Sequence, residues 1–402
     1  DEGVSRERRA LLETPGALCT APLLEPLPRY KSVDWRLREL ATNNDWLTQF
    51  PPEARQAFVR LVSSGLFDSE EVHLYRHQAS MLERGTRSGQ PGIVTSGTGS
   101  GKTESFLLPV LAQIVREAKT WSRPSDDYLQ RAWWHDGDGR PFESFSKIPG
   151  TRRPLKKNPE GDPFVLHRDG EQRPAAVRCL VLYPMNALVE DQLSRLRKAL
   201  DSEQAHAVLA EEIAGNRIFF GRYTSDTPVT GFNVHPRTAA ATDYKRRARK
   251  LEQLFEEMVQ FERTQREVRR RCADGTSGLD SDDRFLFPAV DGAELLSRWD
   301  MQQTPPDILI TNVSMLGAML NREVDDPVFE TTKQWLTSNN DAYFYLVLDE
   351  LHLQRGAAGT EVAYLLRLLL HRLGLSDPAH RHKVRILASS ASLPVDNEEG
   401  AR

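Results

Sequence analysis

Apolar residues along the chain cluster into short runs that alternate with longer amphipathic stretches. Five runs are rich in β-branched and aliphatic residues and are typical of buried strands: "PGIVTS", "VRCLVLYP", "PPDILITN", "YFYLVLDE" and "KVRILASS". Helix-like sequence follows most of them, as in "TESFLLPVLAQIVREA" after the first. This alternation predicts an α/β fold, in which helices cover both faces of a parallel sheet. Ligands then bind beyond the carboxyl ends of the strands, where the polar clusters of this chain fall.

Composition excludes several classes of protein. The chain has 402 residues and a net charge of -4, so it is not a polybasic nucleic-acid binder, and any phosphate contact must come from local patches. Its three cysteines lie far apart, which fits neither a disulfide framework nor a metal site and favours a reducing, cytoplasmic location. No stretch approaches the ~20 uncharged apolar residues of a membrane span.

A glycine-rich stretch, "SGTGSGKT" at residues 96–103, joins the first predicted strand to its helix. Small residues let backbone N–H groups turn toward a phosphate, Lys102 can reach the outer phosphates, and the Thr103 hydroxyl can bind Mg²⁺. Ser96 stands where the usual pattern has its first glycine. A plain glycine-rich turn is the alternative, which the strand before and the helix after make less favourable. The predicted nucleotide-binding residues are Ser96, Gly97, Thr98, Gly99, Ser100, Gly101, Lys102 and Thr103.

A second candidate site is the acidic pair in "YLVLDELH", where a predicted strand ends in Asp349 and Glu350. One carboxylate can hold Mg²⁺ and its neighbour can polarise an attacking water for displacement at the γ-phosphate. An acidic strand end that faces solvent is the alternative. The presence of a phosphate-binding loop in the same chain favours the catalytic interpretation.

The order of these motifs resembles a known family. "TSGTGSGKT" and "DELH" are similar to motifs I and II of the superfamily 2 helicases, in the DExH branch. "LYRHQ" resembles the upstream glutamine element, and "VLYPMNALVEDQ" resembles motif Ia. "GRYTSDTP" resembles the next strand-end motif, and "PPDILITNVSML" resembles the motif that touches the nucleic-acid backbone. "ASSAS" resembles motif III. Two of these motifs, "LYPMNALVEDQ" and "ILITNVSML", are most similar in sequence to those of large bacterial helicases related to MrfA. These helicases include those of the phage-defence systems Druantia and DISARM. The resemblance implies an ATP-dependent helicase or translocase.

The resemblance also implies roles for single residues. Lys102 would bind the β and γ phosphates of ATP, Thr103 and Asp349 would hold Mg²⁺, and Glu350 would be the general base. Gln78, in the glutamine element, would contact the adenine. Motif III usually contains Ser-Ala-Thr, and "SAS" keeps its hydroxyl pattern. Residues that would couple the nucleotide to the nucleic acid are His352, Ser390 and Ser392, and those along the strand-binding surface are Pro184, Asn186, Thr311 and Asn312.

The predicted domain organisation is a helical N-terminal extension, residues 1–70, followed by the first RecA-like lobe, residues 71–402. Two insertions, at about 117–175 and 226–304, interrupt the lobe. The second insertion contains "DYKRRARKLEQLFEEMVQFERTQREVRRR", whose apolar spacing predicts one long amphipathic helix with basic ends. That helix is either a solvated face or a phosphate-backbone contact whose affinity would fall with salt.

Superfamily 2 motors have two RecA-like lobes, and the second supplies arginine fingers. We expect that lobe to lie outside these 402 residues, either further along a longer helicase or in a partner subunit. The isolated chain should then be nearly inactive. A hypothesis of another class is a nucleotide-gated binding subunit without motor activity. DNA is favoured over RNA because the similar bacterial helicases act on DNA, and an RNA helicase is the alternative. No membrane partner is expected.

Overall fold

A computed structural model describes residues 2–14, 29–42, 46–87, 90–97, 99–126, 128, 166–184, 189–231, 241–273 and 281–390. The chain divides into two compact units, Asp1–Lys31 and Ser32–Arg402. The first unit contains helix α1, Glu2–Glu13, and residues 3–13 of this helix are exposed. All the other elements belong to the second unit.

One parallel sheet organises the second unit. Within the described residues it has seven strands in the order β1-β7-β6-β2-β5-β3-β4. Every pairing is parallel, so all the carboxyl ends meet at one edge. The strands are β1 Gly92–Thr95, β2 Cys179–Tyr183, β3 Phe220–Tyr223, β4 Glu294–Leu295, β5 Ile308–Asn312, β6 Phe344–Leu348 and β7 Val384–Ser390.

Helices cover both faces of this sheet, as its apolar strands require. On one face Tyr345 donates a hydrogen bond of 2.8 Å from its hydroxyl to the Gly85 carbonyl of α3, which packs on α4. On the other face Leu180 and Leu309 line a small cavity with residues of α9, α10 and α11. The helices are α2 Pro52–Ser63, α3 Arg76–Thr86, α4 Lys102–Ala118, α5 Val189–Asp201, α6 Glu203–Glu212, α7 Ala241–Ala273, α8 Arg298–Gln303, α9 Val313–Leu320, α10 Asp326–Ser338 and α11 Gly356–Arg372.

The predicted α/β class is confirmed, and the structure adds strands that the apolar runs did not indicate. Strand β3 belongs to the segment "GRYTSDTP", and the two-residue β4 lies inside the predicted second insertion. Because β4 pairs with β3, that insertion completes the edge of the sheet. The domain boundary near residue 70 stays a prediction, and α2, before it, packs on α4 in the main core.

The long helix predicted in the second insertion is also confirmed. Helix α7 buries its apolar stripe, which includes Leu251, Leu254 and Phe255, in a second hydrophobic cluster with Val229 and Trp299. This stripe follows the helical period, so one side of α7 packs against the lobe.

A buried ion-pair network lies at the amino ends of β2 and β5. Asp307 accepts hydrogen bonds from Arg173, at 2.7 and 2.8 Å, and from Arg178, at 2.8 Å. Glu117 binds the other side of the Arg178 guanidinium, and Trp121 stacks on Arg173 at 3.6 Å. Burial opposes ionisation of Asp307, but Arg173 and the other guanidinium groups outweigh it and hold its pKa well below the ordinary value. The network holds residues 173–178 against the sheet, at the edge opposite the candidate site.

Candidate nucleotide site

The glycine-rich loop lies between β1 and α4, at the carboxyl edge of the sheet. Gly99 and Gly101 adopt left-handed backbone conformations, with φ of 71° and 74°. A Cβ atom on Gly101 would lie 2.3 Å from Nε2 of Gln78, so no larger residue fits there without displacing that side chain. The loop therefore turns tightly into α4, whose first N–H groups face the same edge.

Helix α3 supports the loop through two side chains. Gln78 donates from Nε2 to the Gly101 carbonyl at 3.3 Å and accepts at Oε1 from the Tyr75 N–H at 2.9 Å. His77 hydrogen-bonds the Ser100 carbonyl through Nε2 at 2.8 Å. Gln78 is buried and both ends of its amide have partners within the chain, so its contact with adenine stays a prediction.

Lys102 and Thr103 begin α4, and Lys102 lies close to the acidic pair. Nζ of Lys102 lies 3.8 Å from Oε1 of Glu350. Thr103 is buried, and its hydroxyl oxygen accepts a hydrogen bond of 3.0 Å from Nε2 of Gln192 on α5. The loop and the acidic pair, far apart in sequence, therefore form one site.

Asp349 follows β6 directly and is held by neighbouring strands. Its backbone N–H donates to the Leu182 carbonyl at 3.1 Å, and the Ser389 hydroxyl donates to its Oδ1. Burial raises the pKa of Asp349 above the ordinary value, the Ser389 hydrogen bond opposes that shift, and the negative charge of Glu350 adds to it. A cation bound here would stabilise the ionised form.

Glu350 occupies a strained position beside Asp349. Its φ is 50°, a left-handed conformation that costs a residue other than glycine about 1–3 kcal/mol and is concentrated at functional sites. Its Oε2 is buried and forms no hydrogen bond with a described residue, although Nδ1 of His352 lies 3.2 Å away. The Ser390 hydroxyl lies 3.3 Å from the same Nδ1, so His352 joins Glu350 to the end of β7.

The residues predicted along the strand-binding surface follow β2 and β5. Pro184 is half-buried at the end of β2. Thr311 is fully buried and donates from its hydroxyl to the Tyr223 carbonyl at 2.6 Å, while Asn312 caps α9 by accepting from the Met315 N–H at 2.7 Å. In this conformation the Thr311 hydroxyl is used within the sheet, and contact of these residues with nucleic acid stays a prediction.

Three predicted site residues, Thr98, Asn186 and Ser392, lie outside the described residues. The structure adds three that the sequence did not single out: His77, Gln192 and Ser389. All three lie within the segments that resemble helicase motifs. Their partners could not be found from the sequence, because each contact joins residues on different elements.

ATP and Mg²⁺ fit this site chemically. Two left-handed glycines and the start of α4 offer N–H groups to phosphates, and Lys102 offers a cation. Thr103 and Asp349 supply the hard oxygen ligands that Mg²⁺ prefers. The buried Oε2 of Glu350, without a hydrogen-bond partner among the described residues, is an acceptor suited to a water proton.

Part of the chain matches a helicase family, and nearly the whole chain is similar in sequence to a known protein. Residues 75–218 match the family model of the DEAD/DEAH box helicases. Over 98% of its length the chain is 28% identical to Druantia protein DruE of Escherichia coli (strain UMEA 4076-1), and it spans 19% of that relative. It is also similar to the crystal structure of the DUF1998 helicase MrfA, at 17% identity and a TM-score of 0.39, over 88% of this chain and 31% of that one. In the described part of the chain, no helix is long and apolar enough to cross a membrane.

Proposed function

We propose that this chain, which contains a DEAD/DEAH box helicase domain, is the ATP-binding lobe of a nucleic-acid helicase or translocase that acts on DNA. The observation that carries the proposal is the distance of 3.8 Å between Nζ of Lys102 and Oε1 of Glu350. A phosphate-binding lysine and a candidate general base thus lie in one site, although the chain separates them widely. ATP hydrolysis needs a cation at the outer phosphates and a group that orients the attacking water.

Each residue of the site has a distinct part in the proposed reaction. Lys102 binds the outer phosphates and offsets their charge, while Glu350 accepts the proton of the attacking water. Thr103 and Asp349 hold Mg²⁺, which supplies charge neutralisation when it is bound. Ser389 keeps Asp349 oriented through its hydrogen bond.

The same geometry supports a link from the nucleotide to the nucleic acid. His352 lies 3.2 Å from Glu350 and 3.3 Å from Ser390, so a shift of the carboxylate is passed to the end of β7. We propose that His352, Ser390 and Ser392 report the nucleotide state in this way. The strand-binding surface follows β2 and β5 at Pro184, Asn186, Thr311 and Asn312.

We further propose a second RecA-like lobe, in a longer protein or a partner subunit, and a role in bacterial phage defence. The similarity to a Druantia protein about five times as long as this chain supports both the second lobe and the role in defence. The motifs that resemble DNA-directed bacterial helicases support DNA as the substrate.

The test is the ATPase rate of the longer protein with single-stranded DNA, duplex DNA and RNA. We expect both DNA forms, or one of them, to stimulate hydrolysis more than RNA does. Stronger stimulation by RNA would make the protein an RNA helicase. Nucleotide-dependent binding of DNA without any hydrolysis would favour a nucleotide-gated binding subunit.

A further inference from the structure

Helix α5 contacts the nucleotide site through Gln192. The side-chain amide of Gln192 donates from Nε2 to the hydroxyl oxygen of Thr103 at 3.0 Å. Thr103 is buried in the first turn of α4, and Gln192 is half-buried. The hydroxyl of Thr103 is the oxygen that the proposed function assigns to Mg²⁺.

Ion pairs hold the beginning of α5 against two neighbouring elements. Arg195 donates to Oε1 of Glu104, the residue after Thr103, at 2.5 Å. On the opposite side Glu190 pairs with Arg222 of β3. The first turns of α5 therefore bridge α4 and the end of β3, and they follow the segment that leaves β2 at Pro184.

The hydrogen bond to Gln192 restricts what the Thr103 hydroxyl can do. A threonine side chain without a fixed partner can occupy more than one staggered rotamer. Donation from Gln192 occupies one lone pair of the hydroxyl oxygen and holds the side chain in one rotamer. The second lone pair stays available for a cation, and its direction is fixed in advance.

We infer that Gln192 is a positioning residue, which orients the Thr103 hydroxyl for Mg²⁺ and so links α5 to the nucleotide site. The inference rests on the proposed function and adds a means of regulation to it. A displacement of α5, which follows the proposed nucleic-acid contacts Pro184 and Asn186 in sequence, would move the Gln192 amide and weaken the hold on Mg²⁺. Partners that orient metal ligands in this way typically contribute about 10- to 100-fold to metal affinity.

The test measures how nucleotide binding depends on Mg²⁺ in the 402-residue chain and in Gln192→Met, which keeps the length of the side chain but removes its donor. A fluorescent ATP analogue is titrated at fixed Mg²⁺ concentrations and in EDTA. We expect the variant to need about 10-fold more Mg²⁺ for half-maximal binding, with unchanged affinity in EDTA. ATPase activity is not needed for this measurement.

Lys198→Met is the matched control. It removes the ion pairs that Lys198 of α5 forms with Asp68 and Asp282 but leaves the contacts of Gln192 and Arg195 with α4 in place, so we expect its Mg²⁺ dependence to equal that of the unaltered chain. Thermal unfolding of both variants detects a purely structural effect.

Two outcomes would overturn the inference. Gln192→Met could show the Mg²⁺ dependence of the unaltered chain, or it could lose affinity equally in EDTA and in Mg²⁺, as a structural role predicts. A failure of the proposed function is recognised separately, because the unaltered chain would then show no Mg²⁺-dependent nucleotide binding, and the inference would fall with it.

Discussion

At the residue scale, the two ends of the contact between Lys102 and Glu350 have different expected roles. Lys102→Ala should abolish productive nucleotide binding, because the loop N–H groups alone leave the charge of the outer phosphates uncompensated. Equilibrium titration with a fluorescent ATP analogue in Mg²⁺ measures the effect. Affinity within a factor of two of the unaltered chain would remove the phosphate-loop assignment.

Glu350→Gln should keep ATP bound but prevent its hydrolysis. The amide preserves the shape of the side chain and cannot accept the water proton, so only the step that needs a base is lost. We expect the turnover of the longer protein to fall by at least about 10²-fold, while nucleotide affinity stays close to the original value. A loss of affinity as large as that of Lys102→Ala would contradict this division of roles.

His167, away from the nucleotide site, should make stability depend on pH. Burial lowers the pKa of His167 from 6.5 to about 4, and its hydrogen bond to the Gly292 carbonyl opposes the shift. The unfolded chain takes up this proton near pH 6.5 and the folded chain only near pH 4. The free energy of unfolding therefore falls as pH falls through this window.

Urea unfolding at pH 7, 6 and 5 tests this for the unaltered chain and His167→Gln, whose amide can still donate to Gly292. The difference in unfolding free energy between the two proteins should change by about 1–2 kcal/mol in favour of the variant between pH 7 and pH 5. Other titrating groups are common to both proteins and cancel in the difference. Parallel pH profiles would show that His167 does not contribute.

At the element scale, α7 presents exposed basic residues near both of its ends. Arg249 and Lys250 are exposed near its beginning, and Arg270 and Arg271 near its end. If the beginning of α7 contacts phosphates, replacing Arg246, Arg247 and Arg249 by Glu should weaken DNA binding. The slope of log affinity against log salt should also become shallower, by about 0.9 per lost contact on duplex DNA.

Binding measured between 50 and 200 mM salt decides between the two interpretations of α7. Arg266→Glu is a suitable control, since Arg266 lies far along the same helix from Arg246, Arg247 and Arg249 and pairs with Glu262 one turn earlier. An unchanged slope in the triple variant would establish a solvated helix face.

At the scale of the whole molecule, hydrolysis should depend on a second lobe. Glu350 and Lys102 can orient the water and the γ-phosphate, but the charge that develops during transfer needs further cations. An arginine from another domain is worth about 10³ to 10⁵ in rate in related phosphoryl-transfer enzymes. We therefore expect residues 1–402 alone to bind Mg²⁺ and ATP weakly and to hydrolyse ATP very slowly.

Turnover of the isolated chain is compared with that of the longer protein, each with and without DNA, and Glu350→Gln gives the background in both. A rise of several orders of magnitude in the longer protein is the expected result. Rapid, DNA-stimulated hydrolysis by the isolated chain would show that it contains a complete motor site.

The sequence by itself determined the fold class and the location of the site. Apolar runs with strand character, most of them leading into a helical pattern, predict a parallel sheet, and the polar residues that end the runs predict a site at its carboxyl edge. These features are local, because the period of the apolar positions and the residues next to a strand end can be read along a few residues. Lys102, Thr103, Asp349 and Glu350 were predicted in this way, and the structure places Lys102 close to Glu350.

Only the tertiary structure decided which distant residues meet. The contacts of Gln192 with Thr103 and of Ser389 with Asp349 depend on the order of strands in the sheet and on how α5 packs beside α4. Strand β4 has two residues, too few for any period, and exists because β3 offers it a free edge. Such pairings are set by packing between elements that are remote in sequence, and no local pattern of residues records them.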